Sequence, residues 1–148
     1  MAFMARFLVQ VQQLLLHLGM KVQHKAVFFT FLLSSLLVFA DITNDIMSGL
    51  KTGNAKLIAG YFNATVELNL PGNDGLFSKA QSELLLKDFF VKFPPKNFIF
   101  KHDGTSQDGS RFSIGVLETS GGNFRTYYYL KKNGDSFLLK ELRIEKER

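Results

Sequence analysis

From Asp41 onward the chain alternates between two hydrophobic periods. Apolar residues at Ile42, Ile46, Met47 and Leu50 keep to one helical face and predict a helix over residues 41–50. Gly53 ends it, and Asn54 is placed to cap a second short helix from Ala55 to Gly60. The period then falls to two. Phe62, Ala64, Val66, Leu68 and Leu70 alternate with Asn63, Thr65, Glu67 and Asn69, which predicts a strand with one buried face. Pro71-Gly72-Asn73-Asp74-Gly75 reads as the turn that stops it. Ser78 and Gln81 have the spacing of a capping box and open a third helix running to about Lys92. Its apolar side holds Leu85, Leu86, Phe89, Phe90 and Phe93. Pro94-Pro95 stops it, since proline offers no amide hydrogen to the next turn. Four strands follow: Phe98–His102, Arg111–Thr119, Phe124–Lys131 and Ser136–Glu145. Gly121-Gly122 and Asn133-Gly134 are the turn signals between the later ones.

The residues before Asp41 read differently. Lys21, His24 and Lys25 give a short basic start, and Ala26–Ala40 is apolar except for Thr30, Ser34 and Ser35. Val38-Phe39-Ala40 places small residues where a signal peptidase reads them. Residues 20–40 are therefore expected to be a signal peptide, and the product to be exported, periplasmic or secreted. The alternative is an uncleaved anchor, for which the run is short of the ~20 apolar residues of a span. No stable membrane span is expected after cleavage. Residues 1–19 are read as an extension upstream of the true start at Met20, the alternative being a long basic leader. Residues 41–148 are then a single domain.

Charge changes the picture little. The net charge of +5 includes three basic residues and no acid in the first forty positions, so the remainder is only about +2, with both signs interspersed. That is no electrostatic footprint for nucleic acid. The chain has no cysteine, which excludes disulfides, a lipid-attachment cysteine and Cys–His catalysis. His102 is the one histidine after residue 40, so no zinc site and no other metal or cofactor is expected. Phosphate-loop and dinucleotide motifs are absent.

Strands following helices predict an α+β fold, with three helices on one face of an antiparallel sheet. The order resembles the nuclear-transport-factor-2-like fold, also called the cystatin-like cone, over the whole of residues 41–148. More narrowly, the chain resembles a bacterial family of exported proteins known as domain of unknown function 4783. The resemblance is carried by Gly75-Leu76-Phe77-Ser78-Lys79-Ala80-Gln81, Asp88-Phe89-Phe90 with Pro94-Pro95, Asp108-Gly109-Ser110 before Ile114-Gly115, Phe124-Arg125, and Leu142-Arg143-Ile144-Glu145. It implies a curved sheet, an exported protein and no known reaction.

Strand alternation assigns two faces. Towards the helices it places Phe98, Phe100 and His102; Phe112, Ile114, Val116 and Glu118; Phe124, Thr126, Tyr128 and Leu130; and Leu138, Lys140, Leu142 and Ile144. The resemblance implies a cone between helices and sheet, where His102, Glu118, Tyr128 and Lys140 are candidate ligand-binding residues. The opposite face would carry Arg111, Ser113, Leu117, Thr119, Arg125, Tyr127, Tyr129, Phe137, Leu139, Glu141, Arg143 and Glu145. Within it Leu117, Arg125, Tyr127, Tyr129 and Leu139 are candidate interface residues, because Tyr and Arg favour contact surfaces. The reading is a small exported binding or interaction domain without catalytic residues, joined to a protein partner or a second copy through the uncovered face. The alternative is a small-ligand binder or enzyme that uses the cone.

Overall fold

A computed structural model describes residues 42–147. The segments read above as an upstream extension and a signal peptide lie outside the described residues. Helix α1 (Ile42–Thr52) buries Ile46 and Leu50 and sets Asp45 in its first turn and Lys51 in its last, where each charge suits the helix dipole. Gly53, at φ 68°, reverses the chain, and the Asn54 side chain accepts from the Leu57 amide (3.0 Å) to cap α2 (Ala55–Ala59). Strand β1 (Phe62–Leu70) buries Phe62, Val66, Leu68 and Leu70.

The next element differs from expectation. Pro71-Gly72 alone forms the turn, with Gly72 at φ 89°, and residues 73–78 return as a strand, β2 (Asn73–Ser78), paired antiparallel to β1. Asn, Asp and Gly are poor strand formers, but pairing against β1 outweighs that preference. Ser78 then caps α3 (Lys79–Lys92) with the anticipated box: the Gln81 amide donates to Ser78 Oγ (3.4 Å) and the Ser78 amide to Gln81 Oε1 (3.1 Å). The remaining strands are β3 (Pro95–Thr105), β4 (Arg111–Thr119), β5 (Gly122–Asn133) and β6 (Ser136–Lys146).

Together the strands form one open six-stranded sheet in the order β2-β1-β6-β5-β4-β3. The α+β class and the three helices are as expected, but the sheet is mixed: β1 runs parallel to β6, and every other pair is antiparallel. The core lies between the sheet and the helices. Val66, Leu68, Leu117, Phe124, Tyr128, Leu130, Leu142 and Ile144 come from the sheet, and Ile46, Leu50, Ile58, Leu86, Phe89 and Phe90 from the helices. The Phe89 ring meets the Phe124 ring edge-on, centroids 5.3 Å apart at 86°.

Three of the expected face assignments are corrected by register. Leu117 opposes Phe124 and Gly115 opposes Thr126, and directly opposed residues share a face. Ser113, Gly115, Leu117 and Thr119 therefore point inward, while Phe112, Ile114, Val116 and Glu118 point outward, so β4 is inverted relative to the sequence reading. In β6 a bulge at Lys140 separates Leu139, opposite Leu130, from Glu141, opposite Tyr129. Leu139 and Leu142 are thus both inward, and both are fully buried. In β3 a slip between Phe100 and His102 leaves Phe98 inward opposite Leu117 and turns His102 outward opposite Ile114.

Candidate functional site

The outward face of the sheet is covered by none of the described helices. Its centre is apolar. Phe112, Ile114 and Val116 from β4 and Tyr127 and Tyr129 from β5 are all half-buried, with Ile99 of β3 opposite Val116. The Phe112 and Tyr127 rings stack at 6.3 Å and 27°, and the His102 ring lies 5.9 Å from Phe112. On the far side Leu76 of β2 projects from the same face, 71% exposed, next to Glu67 of β1.

Charges of both signs border this stripe. The Arg143 guanidinium donates to Glu141 through Nε and reaches Glu67 on β1 at 3.4 Å. The hydrogen bond from Arg143 to Glu141 raises the guanidinium pKa further above its ordinary value. Arg125 stands opposite Glu145 across β5 and β6. Between these side chains lies a shallow cleft of about 300 Å³, lined by Arg125, Tyr127, Glu141, Arg143 and Glu145. Burial, and then the Glu141 carboxylate, push the Tyr127 phenol above its usual range. Tyr127 therefore stays neutral and presents a ring with a hydrogen-bonding tip, the amphipathic form suited to contact surfaces.

Of the candidate interface residues, Arg125, Tyr127 and Tyr129 are on this face. Leu117 and Leu139 are not; both are fully buried in the core. Phe112, Ile114, Val116 and Ile99, which the sequence reading had set inward or left out, take their place.

The four candidate ligand-binding residues are not brought together. Tyr128 is fully buried beneath the helices, whereas His102 and Glu118 are on the other side of the sheet and Lys140 is exposed at the β6 bulge. By register the inner-face neighbours of Tyr128 are Ser113 and Leu142 on the adjoining strands and Thr126 and Leu130 on its own. The Phe98 ring lies over Gly115, whose lack of a side chain makes the room: a Cβ there would stand 2.8 Å from the Ile99 carbonyl oxygen. Among the described residues no three His, Asp or Glu side chains gather as a metal site would need, and no helix is long and apolar enough to cross a membrane.

The family model described as "Domain of unknown function (DUF4783)" matches residues 43–145. A DUF4783 family protein from Bacteroides ovatus, known from a crystal structure, is 29% identical and superposes with a TM-score of 0.66, covering 70% of this chain and 94% of its own. One from Bacteroides uniformis is 27% identical, with a TM-score of 0.67 over 71% of this chain and 96% of its own. An NTF2-like protein of unknown function from Cytophaga hutchinsonii is 11% identical, with a TM-score of 0.51 over 72% and 88%, and shares the fold alone. No curated protein sequence matches.

Proposed function

We propose a non-catalytic binding role for this chain, which belongs to the DUF4783 family of domains of unknown function: an exported interaction domain that works through the outward face of its sheet. The observation that carries the proposal is the half-buried stripe of Phe112, Ile114, Val116, Tyr127 and Tyr129 lying outside the helix layer. Exposed apolar surface of this kind, rimmed by charge, is the usual mark of a contact surface. The rim holds Arg125 and Arg143 beside Glu67, Glu141 and Glu145. A face with both signs is self-complementary under a two-fold axis, so the occupant that fits is a second copy of the chain.

Sedimentation velocity across a concentration series tests this. The protein should dimerise. Ile114→Asp or Tyr127→Ala alone should raise the dissociation constant by ~30-fold and the two together by up to ~1000-fold, since central anchors each carry ~2 kcal/mol, and both should leave the thermal melt of the monomer in place. A protein that stays monomeric at high micromolar concentration, or a dimer indifferent to both substitutions, would overturn the reading.

A further inference from the structure

A second site lies at the hairpin end of the sheet, where two strand pairings slip at the same place. β1 and β6 pair at Phe62↔Leu139 and next at Glu67↔Glu141, so Asn63 to Val66 face Lys140 alone. β5 and β6 slip there too, between Tyr129 and Leu130. The sheet opens into a cleft of about 190 Å³ lined by Asn63, Lys131, Lys132, Asn133, Leu138 and Lys140.

Three lysines line this cleft, and among the described residues no carboxylate does. Among the described residues none of the three ammonium groups makes a hydrogen bond or an ion pair with another side chain; the Lys132 backbone amide donates to Ser110 Oγ (3.2 Å). Asp108, outside the cleft, is already engaged: its two oxygens accept from the Ser110 amide and hydroxyl, at 3.0 and 2.9 Å. Lys132 points to the opposite face from Lys131 and its stem lies across Gly109, where an added Cβ would stand 3.1 Å from its Cδ, so Lys131 and Lys140 supply the ammonium groups of the cleft. Two like charges beside one hollow repel each other, and an anion between them relieves that repulsion.

We propose that this cleft binds a phosphate monoester carried on a small polyhydroxy group. A single carboxylate would leave one of the two ammoniums uncompensated, whereas a phosphate monoester brings ~1.5 to 2 negative charges and three acceptor oxygens at neutral pH. Lysine donates but cannot accept, so the lysines hold the phosphate. The Asn63 and Asn133 carboxamides both donate and accept, and they suit hydroxyl groups. Leu138 gives an apolar wall for the carbon skeleton. Such a group comes from a soluble sugar phosphate or from a lipid headgroup. The site does not involve Ile114 or Tyr127, so its fate is separate from that of the proposed dimer.

Amide NMR titration of the protein with glucose 6-phosphate, with glucose, and with vesicles containing phosphatidylinositol 4-phosphate tests the assignment. Glucose 6-phosphate should give saturable shifts at Asn63, Lys131, Asn133 and Lys140, and glucose should give none. Saturation by the vesicles instead would support the same site with a lipid as the source. Lys131→Gln with Lys140→Gln should weaken binding by 10-fold or more without moving the melt, while Lys101→Gln, exposed on β3, should change it less than 2-fold. The proposal is overturned if neither phosphate probe saturates, if glucose binds as well, or if Lys101→Gln weakens binding as much as the cleft pair.

Discussion

Val116 and Leu117 are neighbours in sequence that the structure sends to opposite sides of the sheet, and substituting each in turn tests that placement. Leu117 has no exposed area and packs opposite Phe124 on the inner face. Leu117→Ala removes buried methyl groups and leaves a cavity that rigid neighbours cannot close, at a cost of ~2–5 kcal/mol. A central value of ~3 kcal/mol corresponds to a fall in Tm of roughly 12–24 °C for a domain of this size. Val116 is half-buried on the outward face, opposite Arg125. Val116→Thr keeps the β-branched shape, and its new hydroxyl can reach water, so it should cost under ~1 kcal/mol. The assay is urea and thermal unfolding of both variants, at concentrations below self-association. If Val116→Thr proves the more damaging, β4 sits one residue away from the register described, which would return Phe112, Ile114 and Val116 to the core. The outward apolar stripe would then not exist, and the proposed interface would fall with it.

Ser78→Ala should cost ~1 kcal/mol in urea unfolding by removing the hydroxyl that caps α3; a loss below ~0.3 kcal/mol would mean the cap contributes nothing net. Tyr61 donates to Asp45, and that hydrogen bond, then burial, then the Asp45 charge raise the phenol pKa. The folded value exceeds the unfolded ~10, so the stabilisation is complete below about pH 10 and is lost as pH rises through the folded value. Tyr61→Phe should flatten that alkaline loss in a stability–pH profile, and an unchanged profile would refute the coupling.

Local chemistry made the helices and most turns readable in the sequence. Asn54, the Ser78–Gln81 box and Pro94-Pro95 act within a few residues of themselves, and each does in the fold what its chemistry implies. Strand β2 was hidden because pairing with β1 draws Asn73, Asp74 and Gly75 into a conformation they do not favour alone. Leu139 was misplaced because the bulge at Lys140 breaks the alternation that assigned it. No local signal marks that bulge.

The inversion of β4 has a different cause, and its signal was present. Both faces of the strand hold apolar residues, and the outward set Phe112, Ile114 and Val116 is the more hydrophobic, so counting apolar positions picks the wrong side. The inner set is small because neighbours occupy the space: Phe98 covers Gly115, and Tyr128 stands opposite Ser113. The turn settles what hydrophobicity cannot. Thr119 pairs with Gly122 across a two-residue loop, and such a loop always opposes an odd-numbered residue to an even-numbered one. Once Phe124, Tyr128 and Leu130 are taken as core, Leu117 must be core as well, and Val116 must face out. The same parity makes the outward surface more apolar than composition suggested, because it sets Phe112 and Ile114 beside Tyr127 and Tyr129. Stability alone would not select three large apolar side chains on the outside of a strand whose inside holds serine, glycine and threonine beside the single Leu117. The proposed interface would account for their placement there.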